Sequence, residues 1–96
     1  MVPLGNRAGS AEDAPNVFNL TVLVRAQDGV AVSARAANLD LPIVEENTLR
    51  AALNRIVGMA KGEIERQLGV SNEIAWVQPP LEPNEMESKF VVPLHL

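Results

Sequence analysis

The chain has 96 residues, among them seven prolines and six glycines, and it is 47% hydrophobic and 21% charged. This length accommodates one small domain with a single core, and the composition is too apolar for a wholly disordered chain. Twelve acidic residues against eight basic ones give a formal net charge of -4. That balance disfavours autonomous nucleic-acid binding and suits a basic protein partner. Because the chain has no cysteine, disulfides and a cysteine nucleophile are excluded.

The first 16 residues lack the pattern of a folded element. Pro3, Gly5, Gly9 and Pro15 interrupt any hydrophobic period, and polar residues fill the gaps between them. Because few contacts hold such chain termini in place, residues 1–16 are predicted to form a disordered tail. A secretory signal needs an apolar run of about 7–15 residues, and this segment has no such run. We therefore expect a cytoplasmic protein.

Two alternating segments predict a β-hairpin. In residues 17–25 and 30–38 apolar side chains recur at every second position, which is the pattern of strands with one buried face. Residues 27–29 between them include an Asp-Gly pair, which is typical of a hairpin turn. The face predicted to be buried carries Phe18, Leu20, Val22, Val24, Val30, Val32, Ala34 and Ala36.

The length of the hairpin loop decides its register, and two lengths compete. A two-residue turn of Asp28 and Gly29 would place apolar residues of one strand beside polar residues of the other. The alternative is a three-residue loop, residues 27–29, in which Gly29 is left-handed. This loop places Val24 opposite Val32 and produces one continuous apolar face. Because a slip of one residue turns every side chain to the other face, burial favours the three-residue loop.

A short link and a helix cap follow the hairpin. Pro42 lies within the link, residues 41–44. Proline disfavours a helical residue before it and lacks a backbone donor, so any strand here is brief or lies at a sheet edge. Asn47 and Thr48 come directly after two glutamates, and either residue can cap a helix.

One long amphipathic helix is predicted next. Apolar residues recur at helical spacing over residues 49–68, and Gly69 is predicted to end the helix. Gly58 and Gly62 lie near Ala51 on the side opposite the apolar stripe. Each interior glycine costs about 1 kcal/mol relative to alanine. Either a solvated surface tolerates this cost, or the flat strip admits the backbone of a partner.

The C-terminal part is irregular before it becomes extended. Three prolines exclude a regular helix or a central strand from residues 70–88. Residues 74–77 form one short strand or pack under the helix end, and Trp76 is predicted to anchor the core. Residues 90–96 are predicted to form the last strand, which Pro93 places at a sheet edge.

The catalytic inventory of the chain is thin. His95 is the single histidine, and it has no nearby serine and no carboxylate at a spacing that would orient it. Glu82, Glu85 and Glu87 are predicted to form a solvated acidic loop, because the glycine-containing ligand loop of a calcium site is missing. We expect no enzymatic activity, no cofactor and no metal.

Together these elements predict one α+β domain over residues 17–96. Its antiparallel sheet, in the order β-β-(β)-α-β, carries the long helix on one face. A single helix leaves the second face of the sheet uncovered, and Leu23, Ala31, Ala37 and Leu39 make this face partly apolar. We therefore expect dimerisation or partner binding on the second face.

The stretch from the second strand into the helix matches a known pattern. Without gaps, Leu39 falls on the leucine of a Pro-Asp-Leu-Pro-Gly-like turn. Thr48-Leu49 and Ala52-Leu53 fall on the Thr-Leu and Ala-Leu of a Gly-Asp-Thr-Leu-Glu-Glu-Ala-Leu helix start. In residues 37–53, and in the Val-Pro-containing last strand, the chain resembles the HicB-like antitoxin family.

Three of the departures from the family pattern affect the path of the loop. Asp40 stands where the second proline of the turn is expected, Leu41 where its glycine is expected, and Glu46 at the glycine before the helix. Because glycine permits dihedral angles that other residues avoid, the loop is predicted to follow another path. No helix-turn-helix or ribbon-helix-helix pattern follows the domain in this sequence, so we expect no direct nucleic-acid binding.

The resemblance implies a protein that binds and neutralises a small, basic, RNA-cleaving toxin by covering its active surface. The diverged turn and the glycine strip support an alternative, a stand-alone homo-oligomeric interaction or structural module without catalytic activity. We expect a protein partner, a homodimer or higher homo-oligomer, and no membrane association. The residues predicted to bind a partner are Leu23, Arg25, Arg35, Leu39, Ala51, Arg55, Gly58 and Gly62.

Overall fold

The computed structural model describes residues 17–26 and 31–96. Its elements in chain order are β1 (Val17–Arg25), β2 (Val32–Ala36), β3 (Val44–Glu46), α1 (Leu49–Ser71) and β4 (Glu87–His95). The predicted α+β fold, an antiparallel sheet with one long helix, is confirmed. The predicted tail, residues 1–16, and the predicted turn, residues 27–29, lie outside the described residues.

The sheet has four strands in the order β3-β2-β1-β4, and all neighbours are antiparallel. The first and last strands pair along their whole length, from Val17 opposite His95 to Arg25 opposite Glu87. β3 and β4 are therefore the two edges. Pro93 lies in an edge strand as predicted, and the brief strand expected after the link is the three-residue β3.

The hairpin register differs from the prediction by two residues. Val24 pairs with Ala34 and Val22 with Ala36, whereas the three-residue loop would have placed Val24 opposite Val32. The observed pairs exclude the predicted register, so the prediction of Val24 opposite Val32 is wrong. A shift by an even number leaves each side chain on its predicted face, so the division of β1 and β2 into two faces is confirmed.

The apolar core lies between the sheet and one stripe of α1. Ala52, Ile56, Ala60 and Ile64 are fully buried, and their spacing of four residues places them on one side of the helix. Complete burial of a valine, leucine or isoleucine side chain contributes about 1.5–3 kcal/mol. The sheet side of this core consists of Leu20, Val22, Val24, Val32, Ala34, Ala36, Val44 and Leu94.

Two polar contacts define the start of α1. Thr48 has an extended backbone, and its Oγ1 accepts a hydrogen bond from the N–H of Ala51 at 3.1 Å. Thr48 rather than Asn47 is therefore the cap. One turn later, Arg55 Nη1 donates to Glu46 Oε2 at 2.8 Å, which links the helix to β3.

The helix ends later than predicted. α1 passes through Gly69 and ends at Ser71, so the prediction that Gly69 ends the helix is wrong. The next residue, Asn72, has a left-handed backbone with φ of 60°, and its N–H donates to the Leu68 carbonyl at 3.0 Å. Asparagine tolerates this conformation better than most residues. The helix end is therefore set by asparagine, and Gly69 is an ordinary helical residue.

Beyond β2, one asparagine side chain continues the sheet. The Ala37 N–H donates to the Thr21 carbonyl at 2.8 Å. The Asn38 side chain accepts from the Thr21 N–H and donates to the Asn19 carbonyl, both at 2.9 Å. The Asn38 amide thus satisfies backbone groups of β1 where no strand pairs with them.

The segment after α1 packs against the core without forming a strand. Ile74 and Trp76 are partly buried against the core cluster, and the rings of Trp76 and Phe18 lie 6.1 Å apart between centroids. Of the two alternatives for residues 74–77, packing under the helix end is the observed one. The predicted contact of Trp76 with the core is confirmed.

The last connection crosses the second face of the sheet. The Leu81 N–H donates to the Ala37 carbonyl at 2.9 Å, beside β2. Glu87, by contrast, opens β4 opposite Arg25, on the far side of β1. Residues 81–86, called the strap here, therefore pass over β1 and β2 on the face opposite α1.

The strap changes which residues are exposed. Leu23 and Ala37 are 0% exposed and Leu39 is 1% exposed, while Ala31 is exposed. Leu23 is the sheet neighbour of Arg35, and Arg35 Nη2 donates to the Glu82 carbonyl of the strap at 3.4 Å, so the strap passes beside Leu23 on this face. The expectation that these apolar residues leave the second face open is wrong for Leu23, Ala37 and Leu39.

Candidate protein-binding surface

A groove of about 300 Å³ lies where the link after β2 meets the start of the strap. Ile43 is 65% exposed and Leu81 is 46% exposed, so two large apolar side chains stand open to solvent. Adjoining apolar surface of this kind is typical of protein interaction sites. We call this feature the link groove; it is lined by Arg35, Ala36, Leu39, Asp40, Leu41, Ile43, Val77 and Leu81.

Backbone hydrogen bonds hold the two walls of the link groove together. The Val77 N–H donates to the Asn38 carbonyl and the Leu81 N–H to the Ala37 carbonyl, both at 2.9 Å. Asn38 is itself bonded to β1 through its side chain. Both walls are therefore anchored to the same two residues, and the groove is a preformed feature of the fold.

A two-bond ion pair lies beside the groove. Arg35 Nε and Nη2 each donate to a carboxylate oxygen of Glu87 at 2.7 Å, a geometry that gives strong charge-assisted bonds. The Glu87 side chain is only 7% exposed. The hydrogen bond from Arg35 holds the pKa of Glu87 below its usual range against the opposing effect of burial, and Glu87 raises the pKa of Arg35. This pair fastens the end of the strap to β2.

The charges left around the groove are negative. Glu82 and Glu85 are exposed in the strap, whereas Glu87 lies in β4 and is largely buried, so the expectation of a solvated loop is wrong for Glu87. Because Glu87 neutralises Arg35, the charged residues near the groove that remain unpaired in the described chain are Asp40 and Glu82. An acidic margin of this kind suits a partner with a basic surface.

A second cavity, of about 320 Å³, lies at the C-terminal end of α1. Three of its polar side chains, those of Arg66, Gln67 and Ser71, already have partners within the chain. Arg66 and Gln67 both donate to Glu63 Oε2 at 2.6 Å, and the Ala75 N–H donates to Gln67 Oε1 at 2.7 Å. The hydrogen bonds from Arg66 and then Gln67 lower the pKa of the Glu63 carboxyl to about 2. Since these bonds tie the helix to the segment after it, we assign this cavity a structural role.

Four of the residues predicted to bind a partner lie on or beside the sheet. Leu23 lies beneath the strap and Leu39 in the core, so neither presents a free side chain to a partner. Arg25 is exposed at the end of β1. Arg35 and Leu39 both line the link groove, so the structure brings these two together.

The other four lie on α1, on the side turned away from the sheet. A Cβ built on Gly58 or Gly62 would meet no heavy atom within 4 Å, so the strip is open within the described chain. Ala51 is half-buried, and Arg55 is exposed and pairs with Glu46. The glycine strip and the link groove are separate surfaces.

Sequence reasoning missed the exposed apolar residues of the groove. The sequence pattern places Ile43 in a short link and Leu81 in an irregular segment. The available signal was a large apolar side chain beside a proline, outside any periodic element: Ile43 follows Pro42, and Leu81 follows Pro80. Such residues either fold back onto a core or stay exposed, and the sequence does not distinguish these outcomes.

Two general features of the described residues bear on the range of functions. Within residues 17–26 and 31–96, no three histidine, aspartate or glutamate side chains are grouped so as to hold a metal ion. In the same residues, no helix combines the length and the apolar character needed to cross a membrane.

Comparison with protein-family models, with curated proteins and with solved structures gave no match. The features of the chain that bear on its function are the link groove, the charge distribution and the resemblance of residues 37–53.

Proposed function

We propose that this chain is an antitoxin-type protein that binds a small, basic, RNA-cleaving toxin and neutralises it by protein–protein contact. The link groove is the main part of the proposed contact surface. The observation that carries the proposal is the exposure of Ile43 and Leu81 directly beside Asp40. Four of the groove residues belong to the segment, residues 37–53, that resembles the HicB-like family.

The groove combines the two contributions that a toxin interface needs. Burying the exposed parts of Ile43 and Leu81 stabilises a complex, since a fully buried side chain of this size contributes about 1.5–3 kcal/mol. Asp40 and the net charge of -4 attract a basic partner over longer range and raise the association rate. Catalytic groups on this chain are unnecessary, because neutralisation requires only that the toxin surface be covered.

The diverged turn is compatible with this role. Asn72 is the one non-glycine residue with a positive φ in the described parts of the chain. Asp40, Leu41 and Glu46 therefore have ordinary backbone angles, and the link follows a path that needs no glycine at these positions. Leu41 packs partly against the core, which holds Asp40 at the surface.

Co-expression tests the proposal. The chain is produced together with a small basic RNA-cleaving protein encoded beside its gene, and growth and co-elution on a sizing column are measured. We expect the wild-type chain to restore growth and to form a complex. The I43K variant should weaken the complex on the order of tenfold or more, as expected for an interface anchor. The matched control is V70K, because Val70 is exposed at the far end of α1.

The outcomes separate the two parts of the proposal. Absence of both rescue and complex with the wild-type chain would reject the toxin-binding role. A complex with the wild-type chain that survives I43K unchanged would reject the groove as the contact surface. Equal loss in I43K and V70K would also reject it, since the effect would then follow from added positive charge.

A stand-alone homo-oligomeric module is a second candidate. The open surface over Gly58 and Gly62 favours it, because a second backbone could approach α1 closely there. In that case the double variant with G58L and G62L should lower the mass measured by light scattering. An unchanged mass would count against an oligomer built on the glycine strip.

A further inference from the structure

The outer edge of β4 is the longest unpaired strand edge in the described chain. β4 spans nine residues and has one neighbour, β1, whereas the opposite edge strand, β3, spans three residues. An unpaired edge carries backbone donors and acceptors that can bind a further strand. Which strand can bind there depends on which β4 residues direct their backbone N–H and C=O groups away from β1.

The backbone hydrogen bonds of Thr21 show which β4 residues have backbone groups that face away from β1. The Thr21 carbonyl accepts from Ala37, and its N–H donates to Asn38, so both backbone groups of Thr21 face β2. Because these directions alternate along a strand, the groups of Leu20 and Val22 face β4. Their partners in β4, Val92 and Phe90, direct their backbone groups back toward β1. By the same alternation, the backbone groups that face away from β1 are those of Lys89, Val91, Pro93 and His95.

The centre of this edge is apolar on both faces of the sheet. Val91 is the middle residue of β4 and is 58% exposed. Phe90 and Val92, its neighbours, lie on the helix side and are only partly buried. The apolar surface is therefore concentrated about one point halfway along the strand.

We propose that two copies of this chain pair antiparallel through β4, with Val91 of each copy opposite Val91 of the other on a two-fold axis. This register overlaps all nine residues of both strands. The two Val91 residues exchange both of their backbone hydrogen bonds, and Phe90 of each copy lies opposite Val92 of the other. At the ends Glu87 lies opposite His95 of the second copy.

Three other symmetric registers are less favourable. With Lys89 on the axis, two ammonium groups would lie directly opposite each other, which is destabilising. With Pro93 on the axis, both missing donors would fall in the central pair of hydrogen bonds. With Val91 on the axis, Pro93 lies opposite Lys89, so the centre is intact and each of two outer pairs lacks one donor. With Phe90 on the axis, Val91 would lie opposite Lys89 and its apolar surface would stay unmatched. The same lysine and proline limit open-ended pairing of this edge.

Single-cysteine crosslinking tests the register, because the chain contains no cysteine. Cα atoms of a directly opposed, hydrogen-bonded pair lie about 5.5 Å apart, and a disulfide spans about 4.4–6.8 Å. Under mild oxidation we expect V91C to give a covalent dimer. K89C alone and P93C alone should stay monomeric on a denaturing gel, because each residue lies about 13 Å along the strand from its own copy. A mixture of K89C and P93C should crosslink.

Light scattering on the full chain gives the second measurement. The wild-type protein should have the mass of a dimer, and V91K should have the mass of a monomer with an unchanged circular dichroism spectrum. I43K should remain dimeric, since the link groove is a different surface. This inference therefore does not depend on toxin binding, and either proposal can fail alone.

A monomeric mass for the wild-type chain up to millimolar concentration would overturn the inference. Crosslinking of K89C alone as efficiently as V91C would also overturn it, because random collisions would then explain the product.

Discussion

Truncation of Leu23 tests whether the strap covers the second face of the sheet. Leu23 is 0% exposed, although it lies on the face opposite α1. L23A removes three carbon atoms, which corresponds to a transfer term of about 2.4 kcal/mol at about 0.8 kcal/mol for each buried methylene. Any space that remains adds about 24 cal/mol per Å³. Because the strap is a surface segment that can partly collapse, we expect a total loss of about 3 kcal/mol.

The assay is urea unfolding followed by the fluorescence of Trp76, the single tryptophan of the chain. Trp76 packs against Phe18 at the core, so its emission reports loss of tertiary structure. The matched control is V17A, because Val17 lies on the same strand and the same face but is 47% exposed. We expect V17A to lower the free energy of unfolding by less than about 1 kcal/mol.

Equal effects of L23A and V17A would refute the reasoning. Such a result would mean that Leu23 contributes no more to stability than the half-exposed Val17. It would also mean that the strap does not exclude water from this face. A loss of about 3 kcal/mol in L23A alone corresponds to roughly 15 °C in the thermal midpoint of a domain of this size. Thermal unfolding therefore provides an independent measurement.

Three further predictions concern the ion pair and the helix. E87Q should lower the free energy of unfolding by about 2 kcal/mol at pH 7, between the values for surface and buried pairs. The folded pKa of Glu87 lies below its usual value of 4.5. The difference in unfolding free energy between wild type and E87Q should therefore persist above pH 4.5 and shrink as the pH falls below it. A difference that does not vary with pH contradicts a stabilising ion pair between Glu87 and Arg35. T48A should cost about 1 kcal/mol through loss of the cap, measured by urea unfolding. G58A should stabilise the chain by up to about 1 kcal/mol, because a methyl group there meets open space; thermal destabilisation would show that this glycine is needed.

The predictions that held depend on local periodicity. Alternation identified the buried face of β1, a spacing of three and four residues identified the stripe of α1, and Pro93 indicated an edge strand. These signals are local because backbone geometry alone decides which side chains share a face. Even the register error left this division intact, since it amounted to an even number of residues.

The candidate site was predicted less completely than the fold. Arg35 and Leu39 were among the residues predicted to bind a partner and do line the link groove, but Ile43 and Leu81 were not. The two walls of the groove come from segments separated by more than thirty residues, and backbone bonds to Ala37 and Asn38 bring them together. No periodic pattern in either segment predicts that the two segments are in contact.

The sequence by itself determined the element order, the two faces of β1 and the helical stripe that packs on one of them. Only the tertiary structure decided that residues 81–86 cross the second face, that Leu23 lies beneath them, and that Glu87 pairs with Arg35. The physical reason is that periodicity specifies which side of an element is apolar. The segment that covers an apolar side is chosen by contacts between residues far apart in the chain.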